Sequence, residues 1–363
     1  MNILVVKFRH IGDVLLSTAL LRNLRLAYAD ARIVVAINDD CVDILKGNED
    51  IDEIIAYPRK SIAGVSLPAK IALETRYAKR ILSRRYDIVL NLTEGDRGAI
   101  YSLLTRAQKR VGLRGRNPLL QRLGTYTVTL ERMKNMHTVE RDLSFLHPIG
   151  LKVREKRVRA SFTREDAEYV EKILEEYGVE DFVHIHPVSR WLFKCWDNEK
   201  FAKIVDYIYF EYGKRVVLSA APDKKELEKI YDIVGKCESE PVNLAGRLSL
   251  SRLSALISKA GLFIGVDTAP MHMAAAHDIP VIALFGPSNP VSWGPWENEL
   301  QRGCYEKIYT TQHCGKHTII QHDDDEILFT EEGKISRAMM SIEIDEVKRE
   351  IDRYFSKGSD ETF

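Results

Sequence analysis

Three stretches carry side chains able to act on a bound molecule. The first is Lys7-Phe8-Arg9-His10-Ile11-Gly12-Asp13. Gly12 permits a tight turn, and Asp13 falls where a helix should begin. A carboxylate there either caps that helix by accepting a backbone N–H or faces a cleft as a general base. The second stretch is Gly265-Val266-Asp267-Thr268-Ala269-Pro270-Met271-His272-Met273-Ala274-Ala275-Ala276. Its small residues and Pro270 suit a first helical turn. Amides at such a terminus, with the Thr268 hydroxyl, make a seat for phosphate; the plainer alternative is that Asp267 or Thr268 only caps the helix. His272 sits one turn in, structural or catalytic. The third stretch is His184-Ile185-His186-Pro187-Val188-Ser189-Arg190-Trp191-Leu192-Phe193-Lys194-Cys195-Trp196. There Lys194 can neutralise a diphosphate as a point charge and Arg190 through a bidentate fork. An exposed loop with its aromatics tucked into a wall would look the same.

Other clusters promise less. Asp323-Asp324-Asp325 contains the D-x-D that can hold a divalent cation, but no buried strand precedes it, and a solvated acidic loop is expected. Cys304, His313, Cys314 and His317 offer soft ligands without the paired C-x-x-C spacing of a zinc site, so no metal is expected. From Arg97 to Arg122 seven cations (Arg97, Arg106, Lys109, Arg110, Arg114, Arg116, Arg122) are interrupted by no acidic residue. Such a local field suits an anionic ligand or lipid headgroups, and a solvated basic face equally.

These stretches need elements to position them. Apolar runs at 3–6, 33–37, 53–56 and 88–92 read as strands buried on both faces, as do 182–185, 216–218, 262–266 and 281–285 in the second half. Helical spacing fills 13–27, 68–83, 98–105, 200–212, 224–234, 251–259, 270–277 and 342–354. The pattern restarts after a charged joint at 150–161, where Thr163 opens a new helix with Glu165 and Asp166 early in it. The expected fold class is therefore α/β, with two Rossmann-like, doubly wound parallel sheets facing each other across a cleft. The domains are expected at 1–155 and 160–340, with a final segment at 341–357. Ligands of such sheets bind outside the carboxyl ends of the strands, where all three stretches lie.

Composition bounds the function. Fifty-three basic residues balance fifty-three acidic ones among 363, which argues against a nonspecific nucleic-acid binder. Five scattered cysteines argue against a disulfide framework and for a reducing compartment. The first residues lack the layout of a signal peptide, and no apolar run is of membrane-spanning length, so a cytosolic protein is expected. No G-x-G-x-x-G follows any strand, which disfavours a dinucleotide-dependent dehydrogenase.

Three segments in register, Lys7 to Leu16, Arg190 to Trp196 and Gly265 to His272, resemble those of the ADP-heptose–lipopolysaccharide heptosyltransferases, glycosyltransferase family 9. The resemblance runs from Met1 to about Tyr354. Ala269 stands where the family more often has Gly, and Asp197 where many members have Pro, which makes the chain most similar to the type that adds a branch heptose to the inner core. The resemblance implies a GT-B fold, with acceptor on the N-terminal domain, nucleotide-sugar on the C-terminal one, and the last helix crossing back to the first. Carried over by motif, Asp13 is the catalytic base. Lys194 contacts the donor phosphates with Ser189 nearby, while Asp267, Thr268 and Ala269 form the helix-terminus cradle with His272 beside it. Asp223 or Glu226 holds the ribose. Arg97, Arg110, Arg114 and Arg116 would meet a phosphorylated acceptor. The implied partners are ADP-heptose and a lipopolysaccharide-core glycolipid, with peripheral contact at the cytoplasmic face of the inner membrane; no cofactor, metal or nucleic acid is expected. A GT-B-like epimerase, or a transferase acting on another surface glycan, is the rival.

Overall fold

The structure, a computed structural model, describes residues 1–360 apart from 63, 116, 324, 325, 331 and 332. The chain divides into a unit from Met1 to Ser161 and a second from Phe162 onward, at the end of the expected joint.

The first unit runs β1 (Asn2–Lys7), α1 (Ile11–Leu16), α2 (Thr18–Ala27), β2 (Arg32–Asn38), β3 (Glu53–Tyr57), α3 (Arg59–Ile62) and α4 (Leu67–Leu82). It continues through β4 (Ile88–Asn91), α5 (Asp96–Thr105), β5 (Lys109–Leu113), α6 (Pro118–Arg122), β6 (Val128–Leu130) and α7 (Thr138–Leu143). The six strands are parallel in the order β3-β2-β1-β4-β5-β6. Chain direction across the sheet reverses between β1 and β4, which makes a crevice there. The helix expected over 13–27 is two helices. Ser17 interrupts it, its hydroxyl donating to the Val14 carbonyl at 2.7 Å, the local bond by which serine competes with helical pairing. β5 and β6 were not anticipated: β5 opens on Lys109 and Arg110, inside the basic run, and only three of its residues are buried. On one face of the sheet Leu4, Val6, Val34, Ala36 and Val89 pack against Tyr77 and Ile81 of α4 and Tyr101 of α5.

The charged segment after Gly150 lies along α2 rather than hanging free. Asn23 Oδ1 accepts the Arg154 amide at 2.7 Å, and the Thr18 hydroxyl accepts that of Arg159 at 2.9 Å.

The second unit opens with α8 (Arg164–Glu176), whose start carries the expected signal as a capping box between Thr163 and Asp166. There follow β7 (Phe182–His186), α9 (Asn198–Tyr212), β8 (Arg215–Leu218), α10 (Lys224–Lys236), β9 (Val242–Asn243), α11 (Leu250–Ile257), β10 (Leu262–Val266) and α12 (Ala269–Ala276). The rest comprises β11 (Val281–Phe285), α13 (Pro290–Trp293), β12 (Gln312–Cys314), β13 (His317–Gln321), the hairpin β14 (Ile327–Thr330) and β15 (Gly333–Ser336), α14 (Arg337–Ser341) and α15 (Ile344–Asp360). The sheet order is β12-β13-β11-β10-β7-β8-β9, parallel except for β12 against β13. With β12 set aside, it repeats the order of the first unit, β7 taking the place of β1 and β10 that of β4. The second crevice therefore lies between β7 and β10.

The last helix packs on the second unit: Val347 and Ile351 join that core, Tyr207 and Tyr212 donate to Asp352, and Tyr212 stacks on Phe355 at 4.1 Å. Against the scattered cysteines that argued for a reducing compartment and no disulfide framework stands one disulfide, Cys304–Cys314, with Cα atoms 5.3 Å apart; residues 304 and 314 meet because β12 folds back as an edge strand. Cys41, Cys195 and Cys237 are free thiols.

Candidate functional site

Each crevice gathers loops from the two strands that flank it. In the first unit the loop after β1 is fixed from three sides: the Phe8 amide donates to Thr93 Oγ1 at 2.9 Å, from the loop after β4, and Asn38 Nδ2 holds the Arg9 carbonyl at 2.9 Å. The Phe8 ring lies against Tyr57, Tyr77 and Tyr101. α1 then starts at Ile11 with His10 as its cap residue, and no side chain caps it. Asp13 is thus not the cap that sequence alone allowed; it stands in the first turn, nearly buried, with Arg9 Nε 3.3 Å from its Oδ1. A carboxylate in a first turn is favoured by the helix dipole.

Behind it lies an ion pair with almost no exposure. Lys7 Nζ is 2.6 and 2.9 Å from the two oxygens of Asp142 on α7, the side chains 0% and 1% exposed. Burial pushes the Asp142 carboxyl above its usual range, against the pull of Lys7.

A pocket of about 290 Å³ opens beside the same loop, lined by Phe8, Arg9, Asn38, Tyr57, Arg59 and Arg97 among others. Arg97 lies over the Tyr57 ring, 4.0 Å from its centroid, and 3.7 Å from Glu74. Glu74 is in turn gripped by the hydroxyls of Tyr57 and Tyr101 at 2.5 and 3.0 Å, and burial followed by that bond pushes the Tyr57 phenol up to about 12. Of the described arginines expected to meet an acceptor, only Arg97 is brought to this pocket. Arg110 does other work: its guanidinium donates to the carbonyls of Ala107, Thr125 and Gly124, clamping the turn before β6. Arg114 pairs with Glu131 at 2.6 Å and borders a separate pocket of about 250 Å³ with Glu94, Asp96 and Tyr126. Arg116 lies outside the described residues. Arg9 and Arg59 line the basic pocket without having been singled out; Arg9 stood inside the first motif, while Arg59 gave no signal.

In the second unit the loops after β7 and β10 meet through one contact. Lys194 Nζ lies 2.6 Å from Asp267 Oδ2, with exposures of 22% and 9%. Ser189 is buried and its hydroxyl accepts the Trp191 amide at 3.2 Å, fixing the turn that presents Lys194. Thr268 is the cap residue of α12, yet its hydroxyl donates back to the Val266 carbonyl at 3.3 Å, and no side chain caps the helix. Pro270 occupies the first turn, where its missing N–H costs nothing. Ala269 begins the helix, and His272 is buried one turn on. A phosphate seat of the expected kind is therefore left uncapped beside a lysine. Gly265 lets β10 approach β7 so closely: a Cβ there would meet the His186 carbonyl at 2.7 Å.

At the end of β7, His184 and His186 share the Ser219 hydroxyl, at 2.7 and 2.8 Å. Burial holds the His186 imidazole down at about 4 and His184 well below its ordinary value. The two ribose candidates follow β8. Asp223 caps α10, accepting the amides of Lys225 and Glu226 at 3.0 and 3.3 Å. Glu226 is buried and accepts the Ala221 amide at 3.0 Å; burial raises its carboxyl. Asp197, the departure noted in the motif, caps α9 through the Lys200 amide at 2.9 Å. Asp323 is exposed, and the other two residues of its D-x-D lie outside the described residues. Among the described residues no group of three or more His, Cys, Asp or Glu is arranged to hold a metal ion.

The family model for glycosyltransferase family 9 (heptosyltransferase) matches residues 74–322. Lipopolysaccharide heptosyltransferase 3 of Escherichia coli (strain K12) is 35% identical over 310 residues, 83% of this chain and 88% of that protein. Lipopolysaccharide core heptosyltransferase OpsX of Haemophilus influenzae is 23% identical over 300 residues, 82% of each. A solved family 9 glycosyltransferase from Veillonella parvula superimposes with a TM-score of 0.80 at 21% identity, covering 98% of this chain and 97% of that one. The structure of E. coli ADP-heptose lps heptosyltransferase II gives 0.74 at 20% identity, covering 99% and 100%. At those identities the two structures speak for the fold.

Proposed function

The chain belongs to glycosyltransferase family 9, the heptosyltransferases, and on that premise we propose that it moves a heptose from ADP-heptose to a sugar hydroxyl of the lipopolysaccharide inner core, with inversion. Its two doubly wound sheets are those of the GT-B fold. The acceptor hydroxyl attacks the anomeric carbon as the bond to the ADP oxygen breaks, and Asp13 takes the hydroxyl proton. Positioned proton transfer of this kind is typically worth ~10²–10⁴-fold.

The observation that carries the donor half is the Lys194–Asp267 pair over the uncapped start of α12. Lys194 meets the diphosphate as a point charge, and the amides at Thr268 and Ala269 meet it through the helix terminus; donors preorganised around a developing anion are worth about 3 kcal/mol each. Asp267 keeps Lys194 in place before the donor arrives, Ser189 sets the turn, and His272 backs the cradle. For the ribose both candidates stand: Asp223 accepts two amides of its own helix through one carboxylate oxygen, and Glu226 accepts the Ala221 amide. On the acceptor side the basic pocket of Arg9, Arg59 and Arg97 fits phosphate groups of the core next to Asp13. Arg114 borders a separate pocket and pairs with Glu131, and Arg110 drops out because its donors are spent on carbonyls. An acceptor of this class is carried on lipid, which places the reaction at the cytoplasmic face of the inner membrane; no helix among the described residues is long and apolar enough to cross it.

The test is transfer from ADP-heptose to a truncated-core lipopolysaccharide, with anomeric configuration read by NMR. Asp13→Asn should lower turnover by ~10²–10⁴-fold while ADP titrates as in the unaltered chain. Transfer within tenfold of normal would remove Asp13 as base, and free sugar released without acceptor would favour the epimerase class.

A further inference from the structure

Asp96 and Arg97 are consecutive at the start of α5, yet they line different pockets. Arg97 belongs to the basic pocket beside the Asp13 loop, and Asp96 to the separate pocket of about 250 Å³. That second pocket is bordered by the loops after β4 and β5 and by the stretch from α6 into β6. It therefore also lies toward the carboxyl ends of the strands, where ligands of such sheets bind. Its volume falls below the ~300–1,000 Å³ of pockets that enclose drug-sized ligands, which suits one small ring.

The wall of this pocket is polar but largely compensated. Glu94 pairs with Arg132 at 2.9 Å, Arg114 pairs with Glu131 at 2.6 Å, and Asp96 Oδ2 accepts from Asn117 Nδ2 at 3.1 Å. A phosphate would meet two carboxylates here, with the one guanidinium already paired, and an ammonium would find both acids already partnered. Hydroxyl groups fit better. A carboxylate has about four acceptor sites, so both acids can still accept, and bonds to an ionised acceptor are the stronger kind. Tyr126 supplies a flat wall. A Cβ at Gly112 of β5 would collide with its ring, so the strand backs the ring directly, and the Tyr126 hydroxyl accepts from Asn91 Nδ2 at 2.6 Å. Asn91 is fully buried, and its Oδ1 accepts the Thr93 amide at 3.1 Å; the Thr93 hydroxyl in turn holds Phe8 in the loop that leads into Asp13. Successive hydrogen bonds thus tie the aromatic wall to the base proposed above. An aromatic face is partly negative and meets the C–H face of a sugar ring, whose hydroxyls then reach the acids around it.

We propose that this pocket seats one uncharged, hydroxyl-bearing ring of the acceptor, stacked on Tyr126 and held by Asp96 and Glu94, while a phosphate on a neighbouring ring occupies the arginine pocket. This deepens the proposed function and rests on its acceptor being a glycan. The test is calorimetric binding of a deacylated, truncated-core oligosaccharide, as isolated and after phosphatase treatment. Asp96→Ala removes an acceptor and Gln121→Trp fills the space, both at exposed positions on the pocket wall. Each should weaken binding at least ~10-fold, the worth of a charge-assisted bond, and by the same factor for both forms of the oligosaccharide. Arg97→Ala should weaken the phosphorylated form alone. If both pocket variants bind both forms as the unaltered chain does, the proposal is overturned and the acceptor reading stands. A loss confined to the phosphorylated form would overturn it too, because the pocket would then be reading phosphate. Binding of neither form by the unaltered chain would strike the glycan acceptor itself, and this subsite with it.

Discussion

At the residue scale the most informative contact is between two side chains 73 positions apart, Lys194 and Asp267. Both were visible in the sequence by type and motif; that they neutralise each other was not, because nothing local records which loops a parallel sheet brings together. The pairing changes what a substitution means. Asp267 is 9% exposed beside the seat proposed for the diphosphate, so losing Lys194 removes an attraction and also leaves a near-buried carboxylate uncompensated. Lys194→Ala should therefore weaken ADP binding by ~100-fold or more by calorimetric titration. Adding Asp267→Asn to it should recover about tenfold, the non-additivity expected of groups in direct contact. If the double variant binds no better than Lys194→Ala, Asp267 contributes its own contact to the ligand instead of serving Lys194. Asp223 shows the converse lesson. Its place after a strand matched the ribose acid, but an aspartate just before a helix is also its best cap, and in the structure it accepts two amides of α10.

Elements were legible to the degree that burial is two-sided. β1, β2, β4, β10 and β11 are apolar at consecutive positions and were found within about a residue of their ends. β5 was hidden by the Lys109 and Arg110 that open it, β6 by its three-residue length and exposure, and the break at Ser17 by a single hydroxyl bond. Lys7 was hidden differently: a cation ending an apolar strand reads as the strand emerging into water, whereas it is buried outright against Asp142. That pair joins β1 to α7, beside the loop that leads into Asp13 on α1. Removing one partner strands a charge in the interior, and Lys7→Met or Asp142→Leu alone should cost about 3–5 kcal/mol of stability. The double variant, apolar on both sides, should lose far less in chemical denaturation. Equal losses in the singles and the double would mean that packing at these positions, and not the charge, is what matters. Because the pair sits beside the Asp13 loop, the double variant also asks whether the position of the base depends on that ionic tie: lowered turnover at restored stability would say that it does.

At the scale of the whole molecule, two units share one strand order, and that was readable from the restart of the apolar pattern after the charged joint. What could not be read is how differently the two hold their titratable groups. Among the described residues of the second unit, desolvation lowers four imidazoles, three of them buried and His277 half-buried: His186 at about 4, His277 at about 4, His317 at about 3, and His184, well below its ordinary value. Their neighbours are few: Ser219 for the first pair, Ser254 for His277, and Glu297, 3.6 Å from His317. Between about pH 4 and the unperturbed 6.5 the unfolded chain binds protons that the folded unit refuses, so stability rises with pH through that window and is lost as pH falls. For one histidine moved from 6.5 to about 4 the full effect is on the order of 3 kcal/mol. In the first unit burial moves the Asp142 carboxyl upward, the opposite sign, so that group does not weaken its unit in acid. All four tryptophans, Trp191, Trp196, Trp293 and Trp296, belong to the second unit, and their emission reports on it alone, while far-ultraviolet circular dichroism follows both. From pH 7 to pH 5 the midpoint of thermal unfolding seen by tryptophan emission should drop by about 5–10 °C. The dichroism trace should widen or split over the same range, its later part following the first unit. A tryptophan midpoint unmoved between those pH values would mean that the buried imidazoles take up protons in the folded unit without penalty, and would return the His184–Ser219–His186 cluster to the status of an ordinary polar contact.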